Sequence, residues 1–180
     1  MFIIIVGVGV AGILLVFNVT TKASADPLIQ KQMLAIAEAM IEEVQAKPFT
    51  YCDPDDPQAA SAQSAGVGPT ACTAAAAVEN MGPEATAPYG PETRLGATTP
   101  FDNVNDYGPG PLPMPIVDIT TGTSIAALGA YSATITVAGS VLGGIAAAES
   151  LLITVTVAGP GNNSLVLQSY RTRYAPIAVP

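Results

Sequence analysis

The sequence contains no histidine and no tryptophan, and charged residues make up only 11% of its 180 positions. Without histidine, the chain lacks the usual general acid-base group of enzymes and the commonest ligand of transition metals. Carboxylates, hydroxyls and two thiols are the main reactive groups that remain. We therefore expect no catalytic residues and no cofactor.

Positive charge is also scarce, with six Lys and Arg against fourteen Asp and Glu and a formal net charge of -8. A nucleic-acid partner is not expected, because there is no basic cluster to neutralise phosphates. Charged residues make up only 11% of this chain, whereas they make up about 25% of a soluble globular domain, and hydrophobic residues reach 49%. The composition predicts a chain that lies partly in lipid or packs against other copies of itself.

Cysteine occurs only twice, at Cys52 and Cys72, within a stretch rich in Pro, Ala and Gly. A disulfide is the simplest use of this pair, and closing a loop of this size contributes roughly 3 kcal/mol to stability. A bond here indicates an oxidising compartment. The alternatives are two reduced, unrelated thiols or, with less support, a two-cysteine metal site without histidine partners.

The first seventeen residues contain no charged or strongly polar side chain, and twelve of them are Ile, Leu, Val or Phe. A helix of seventeen residues is about 26 Å long, slightly short of a hydrocarbon core of about 30 Å. The composition predicts that residues 1–25 form a helix in a membrane or in an equally apolar bundle.

Three glycines in this segment, Gly7, Gly9 and Gly12, match the G-x-G-x-x-G pattern of dinucleotide-binding folds. That fold also needs a second parallel strand, ending in an acidic residue, within about thirty residues. No such strand follows. The favoured interpretation is that the small residues allow close approach of helices in an apolar bundle.

Residues 26–47 are predicted to form an amphipathic helix with an apolar stripe at spacings of three and four. The stripe consists of Ile29, Met33, Ile36, Met40 and Val44. Glu38, Glu42 and Glu43 occupy the remaining faces and are expected to be solvated. Pro27 can start a new helix or kink one that continues from the apolar segment, and we favour one long, kinked helix.

Residues 48–115 contain twelve of the 16 prolines and show no sustained period, which predicts a long surface loop region. Asp53, Asp55 and Asp56 suggest a calcium site, because hard cations prefer clustered carboxylates. Two prolines interrupt this acidic run, so we favour a solvated acidic turn and predict no metal ligand.

Residues 116–180 are predicted to form an antiparallel sheet of four strands. Two of the segments alternate in hydropathy, and the other two lie next to turn sequences. The segments are 116–121, 130–138, 150–158 and 164–175. A sheet with one apolar face needs a cover, and the amphipathic helix is the only element available. We therefore predict an α+β fold in which the helix stripe packs on the sheet through Ile135, Val137, Ile153 and Val155.

The order of these segments resembles that of type IV pilins and pseudopilins. Residues 1–18, MFIIIVGVGVAGILLVFN, resemble the apolar stretch of that family, with Gly7 where pilins commonly carry a glycine. Residues 24–49, SADPLIQKQMLAIAEAMIEEVQAKPF, resemble more specifically the minor pilins of the mannose-sensitive haemagglutinin pilus system. The family's processing motif is absent: either it precedes Met1, or the chain departs from the family in its processing.

The resemblance implies a structural subunit of an extracellular filament that starts in the inner membrane and has copies of itself or other pilins as partners. It also implies that the apolar helix packs in the filament core through Phe2, Ile3, Ile4, Ile5, Gly7, Gly9, Gly12, Leu14 and Phe17. No small-molecule substrate is expected. The alternatives are an envelope-anchored binding or adhesion module that does not polymerise, and a minor pseudopilin of a secretion system.

Overall fold

The computed structural model describes residues 27–173, which form one helix and a four-stranded antiparallel sheet. The elements in chain order are helix α1 at 27–45, β1 at Leu112–Met114, β2 at Ser132–Gly139, β3 at Ser150–Gly159 and β4 at Asn163–Thr172. The α+β architecture is therefore confirmed. The predicted apolar helix, residues 1–25, lies outside the described residues.

Helix α1 forms where apolar side chains recur at helical spacing between alanines that favour the helix. Met33 and Val44 are fully buried, and Ile36 is 7% exposed. The helix stops shortly before Pro48, because a proline disfavours the helical conformation of the residue that precedes it.

The sheet is a meander in which each strand pairs with the next along the chain. Ile135 on β2 lies opposite Val155 on β3, which in turn lies opposite Leu167 on β4. In β2 and β3 the predicted alternation holds, with apolar residues buried on one face and threonines half-buried on the other. The connection between β2 and β3 includes a tight turn, in which Gly143 and Gly144 both have positive φ.

The prediction of a strand at 116–121 is wrong, and the first strand lies just before it, at β1. Asp118 interrupts the segment, because its Oδ1 accepts hydrogen bonds from the backbone N–H groups of Thr120, at 2.8 Å, and Thr121, at 3.2 Å. These bonds fold the chain into a turn. Strand β1 tolerates Pro113 because β1 is the edge of the sheet.

The main core lies between α1 and the sheet. The predicted stripe and sheet residues meet there in one buried cluster: Met33, Ile36, Met40, Val44, Ile135, Val137, Ile153 and Val155. Ile29 is partly buried against this cluster. Each large side chain buried there contributes roughly 1.5–3 kcal/mol. Phe101 and Tyr107 join the same core, so the loop region is tied to the sheet.

Candidate metal centre

The predicted disulfide between Cys52 and Cys72 is confirmed, and it closes the loop that carries the acidic run. Cys52 also forms a β-bridge with Val78. One residue further, the backbone N–H of Asp53 donates to the carbonyl oxygen of Ala77 at 2.9 Å. These bonds place the start of the disulfide loop beside the segment around residue 79.

Asp56 is buried within the disulfide loop and is fully hydrogen-bonded. Its Oδ1 accepts from the backbone N–H of Gln58 at 2.8 Å, and its Oδ2 accepts from the backbone N–H of Thr73 at 3.1 Å. The hydroxyls of Thr73 and Tyr89 also donate to Oδ2. Burial alone would raise the pKa of Asp56, but these hydrogen bonds outweigh it and lower the pKa. Asp56 is therefore a structural carboxylate of the loop.

A buried turn at Val104–Tyr107 positions a second carboxylate. Asp106 Oδ2 accepts hydrogen bonds from the backbone N–H groups of Asp102, at 2.9 Å, and Asn103, at 2.7 Å. The Asn103 side chain donates in turn to the hydroxyl of Thr50 at 2.8 Å. Asp106 is thus fixed by one oxygen, and its other oxygen makes no hydrogen bond.

Seven carboxylates from the loop region converge beside this turn, and we call them the acidic cluster. Its members are Asp53, Asp55, Glu79, Glu84, Glu92, Asp102 and Asp106. They form four overlapping groups of three, and within each group one oxygen per residue lies within 4.8 Å of the others. The cluster holds half of the fourteen acidic residues of the chain. Asp53 and Asp106 are each only 1% exposed.

Most members of the acidic cluster carry a buried oxygen that has no hydrogen-bond donor. These oxygens are Asp53 Oδ2, Glu79 Oε1, Glu84 Oε2, Asp102 Oδ1 and Asp106 Oδ1. Asn105 Oδ1 is likewise unpartnered, although the Asn105 amide nitrogen donates to Glu79 Oε2 at 2.6 Å. A buried acceptor without a donor costs about 1–3 kcal/mol, and more if it is charged.

Burial is the largest cause of raised pKa values at five members of the acidic cluster, and neighbouring carboxylates raise these values further. The pKa rises to about 6 for Asp53, about 7 for Asp102 and about 8 for Asp106. It rises to about 9 for Glu92 and about 10 for Glu79. At neutral pH the cluster therefore needs either protons or a cation to offset its charge.

Within the described chain no basic side chain forms an ion pair with the acidic cluster, although Lys47 lies near Asp102 and Arg173 lies near Glu79. The ion pairs of residues 27–173 are Arg94–Glu43 and Arg173–Glu149, and neither contains a member of the cluster. The donors that converge are all oxygens, which suit hard cations such as Ca²⁺ and Mg²⁺. The arrangement can bind such a cation.

The solvated acidic turn expected at residues 53–56 is wrong for Asp53 and Asp56, which are 1% and 3% exposed, although Asp55 is exposed. The prediction treated the acidic run as an isolated feature. Apart from Asp55, the partners of Asp53 lie between residues 84 and 102 in segments without periodicity, so no sequence pattern connects them. The signals in the sequence were the acidic run at residues 53–56, which suggested a calcium site, and the abundance of acidic residues in a proline-rich region.

Glu43 also departs from the solvated surface that was predicted for it. The guanidinium of Arg94 donates to both of its carboxylate oxygens, at 2.7 and 2.6 Å, and the Tyr107 hydroxyl donates to Oε1 at 3.0 Å. The Arg94 side chain is only 10% exposed, and that of Glu43 only 15%. Glu38 and Glu42 are exposed as expected.

The nine residues predicted to form a filament-core helix, from Phe2 to Phe17, lie outside the described residues. The prediction of an inner-membrane location is wrong for the part of the chain that the structure describes. Between residues 27 and 173, no helix combines the length and the hydropathy required to cross a bilayer.

No protein-family model matches the chain, and neither a search of curated proteins nor one of solved structures finds a significant match.

Proposed function

We propose that this chain is a structural subunit of a type IV pilus-like extracellular filament, assembled by packing of its N-terminal apolar helices. The observation that carries the proposal is the position of α1. This helix follows the apolar segment directly in sequence, and it packs one face on the sheet of its own subunit. The domain is therefore connected through α1 to the segment that would join the filament.

Helix α1 also keeps apolar side chains outside its own core. Leu28 is 60% exposed and Leu34 is 39% exposed, and both lie outside the buried stripe. Neither side chain is covered by the core of its own subunit, and neither lines the groove beside α1. A helix of this kind is suited to contacts with copies of itself on its free sides.

A groove of about 630 Å³ runs along the same helix, between α1 and the segment at 116–128. Its lining is largely apolar and includes Ala35, Ala39, Ile119, Ile125 and Leu128. We assign this groove to a second copy of the chain, whose residues 1–17 are apolar in sequence. Burial of both surfaces at a contact between subunits would favour polymerisation.

The chemistry of the rest of the described chain supports a structural function. The disulfide fits an oxidising compartment, as a filament outside the cytoplasm requires. The convergent polar groups are oxygen acceptors, without a histidine or a free thiol. The expected partners are copies of this chain or other pilins, and no substrate or nucleic acid enters the proposal.

The proposal is tested by shearing filaments from cells that produce the chain, purifying them, and measuring the chain in them by mass spectrometry. Replacement Leu34→Asp places a charge on the free side of α1 and should reduce incorporation at least tenfold. The matched control Glu38→Gln changes an exposed α1 residue without adding charge and should leave incorporation unchanged. Equal incorporation of both variants, or absence of the parent chain from filaments, would contradict the proposal and favour a module that does not polymerise.

A further inference from the structure

We propose that the acidic cluster is a Ca²⁺ site, in which carboxylates of the disulfide loop and of residues 79–106 bind the ion together. This inference concerns the folded domain itself. It does not depend on whether the chain enters a filament.

The spacing of the carboxylates fits a shared ion. Two oxygens that bind one Ca²⁺ at about 2.4 Å lie at most about 4.8 Å apart. The four groups of the acidic cluster meet this limit, and five of the seven carboxylates belong to two groups each. Each group supplies three carboxylates to one ion, and binding through both oxygens of a carboxylate, together with water, can complete the six to eight oxygen ligands that Ca²⁺ takes.

The unpartnered oxygens are an independent indication of a ligand. Asp53 and Asp106 are 99% buried, and each directs one oxygen to a hydrogen-bond donor while the other has none. The satisfied oxygens fix both carboxylates against backbone N–H groups of the loops. Their other oxygens have no donor, and a cation bound by the acidic cluster would compensate the negative charge of these buried carboxylates.

Asn105 adds a neutral oxygen at the edge of the cluster. Its Oδ1 is buried and unpartnered, whereas its amide nitrogen is held by Glu79 Oε2 and the carbonyl oxygen of Asn80. A pocket of about 280 Å³, which these three residues help to line, opens at this edge. Arg173 also lines this pocket.

Calcium fits these donors better than other metals. Zn²⁺ and Cu²⁺ prefer nitrogen and sulfur ligands, but the chain has no histidine and both cysteines are in the disulfide. Mg²⁺ demands near-ideal octahedral geometry and usually keeps several waters, so it rarely uses many protein carboxylates. A cluster of seven carboxylates from irregular loops suits the larger and more flexible coordination of Ca²⁺.

The site would add a link between the disulfide loop and the segments that carry Glu84, Glu92 and Asp102. Asp53 belongs to the disulfide loop, whereas Asp106 belongs to the turn that packs on β2. No group contains both residues, but Asp53 and Asp102 belong to one group, and the backbone N–H of Asp102 donates to Asp106 Oδ2. An ion bound by Asp53 and Asp102 would reduce the repulsion among the buried carboxylates and would fix the irregular region to the core. Its function in this position is structural.

The test measures the Tm of the purified full chain, first in EDTA and then with CaCl₂, at constant ionic strength. Calcium at 100 times its Kd should raise the Tm by about 5–10 °C. Isothermal titration calorimetry on the same sample gives the Kd and the number of ions. The variant is Glu84→Gln, because Glu84 belongs to two groups and its Oε2 has no donor.

Glu84→Gln should melt at or above the parent temperature in EDTA, because it removes one repelling charge, and its calcium-dependent shift should fall by at least half. The control Glu38→Gln, an exposed α1 residue, should keep the whole shift. No shift in the parent, an equal shift in Glu84→Gln, or an equal shift with MgCl₂ would each overturn the assignment to calcium. Because these measurements use unpolymerised protein, they remain informative if the filament proposal fails.

Discussion

At the scale of single residues, buried carboxylates of this chain fall into two kinds. Asp56 and Glu43 accept hydrogen bonds at both oxygens and are compensated by donors within the protein. Asp53 and Asp106 are buried as deeply as Asp56, yet each has an oxygen without a donor. The first kind stabilises the fold by itself, whereas the second kind needs an external cation or a proton.

Glu43→Gln should lower the free energy of unfolding by about 3 kcal/mol. The cost is near the lower end of the range for a broken buried ion pair, because the Arg94 guanidinium stays largely buried and loses its charged partner. Urea unfolding monitored by circular dichroism measures this change. An unchanged m-value would show that the native fold is retained.

Glu42→Gln is the control for this prediction, since Glu42 precedes Glu43 on the same helix but is exposed. It should change stability by less than about 0.5 kcal/mol. If both variants unfold at the same urea concentration as the parent, the Arg94–Glu43 pair does not stabilise the domain.

The acidic cluster could not be predicted from the sequence, and the reason lies at this scale. Its members come from an irregular region, where neither the helical nor the strand period relates one side chain to another. Asp53 and Asp102, which belong to one group, are 49 positions apart, and they are positioned by the β-bridge at Cys52 and by the hydrogen bond from Asp102 to the buried turn at Val104–Tyr107. The one contact in this region that the sequence did predict is the disulfide between Cys52 and Cys72, because these are the two cysteines of the chain.

At the scale of elements, periodicity predicted most of the regular structure. The stripe of α1 and the inward faces of β2 and β3 follow directly from spacings of 3.6 and 2 residues, and all of them line one core. The segment at 116–121 also looked like a strand, but the side chain of Asp118 bonds the local backbone and forms a turn. Local hydrogen bonding of this kind competes with strand pairing and leaves the hydropathy pattern unchanged.

Ile36→Asp should destabilise the domain by at least about 4 kcal/mol, because it places an unpaired charge between α1 and the sheet. Ile36 is 7% exposed and belongs to the main core. A small domain has only about 5–15 kcal/mol in total, so the variant should be largely unfolded at 37 °C. Thermal melting of a fragment covering residues 27–173 measures the effect.

A conservative substitution at the same position is the control for this prediction. Ile36→Val removes one methylene group and should cost about 0.5–1.5 kcal/mol, with a cooperative transition retained. If Ile36→Asp melts like the parent, the stripe of α1 does not cover the sheet, and it would have to make contacts between subunits instead.

At the scale of the whole molecule, helix α1 has two kinds of surface. One side of α1 is covered by its own sheet, and the free sides carry exposed leucines and an apolar groove. The loop region is fixed by one disulfide and, under the calcium proposal, by a cation. Such a domain can stay folded while α1 and the segment before it contact other subunits.

The central claim, that this chain is a subunit of a helical filament, is tested most directly by electron cryomicroscopy of filaments sheared from producing cells. The account predicts density for residues 27–173 in a helical array, with residues 1–25 and α1 nearest the filament axis and the Cys52–Cys72 loop at the surface. Filaments that lack this density, or an array in which the sheet lies at the axis and α1 faces solvent, would contradict the account.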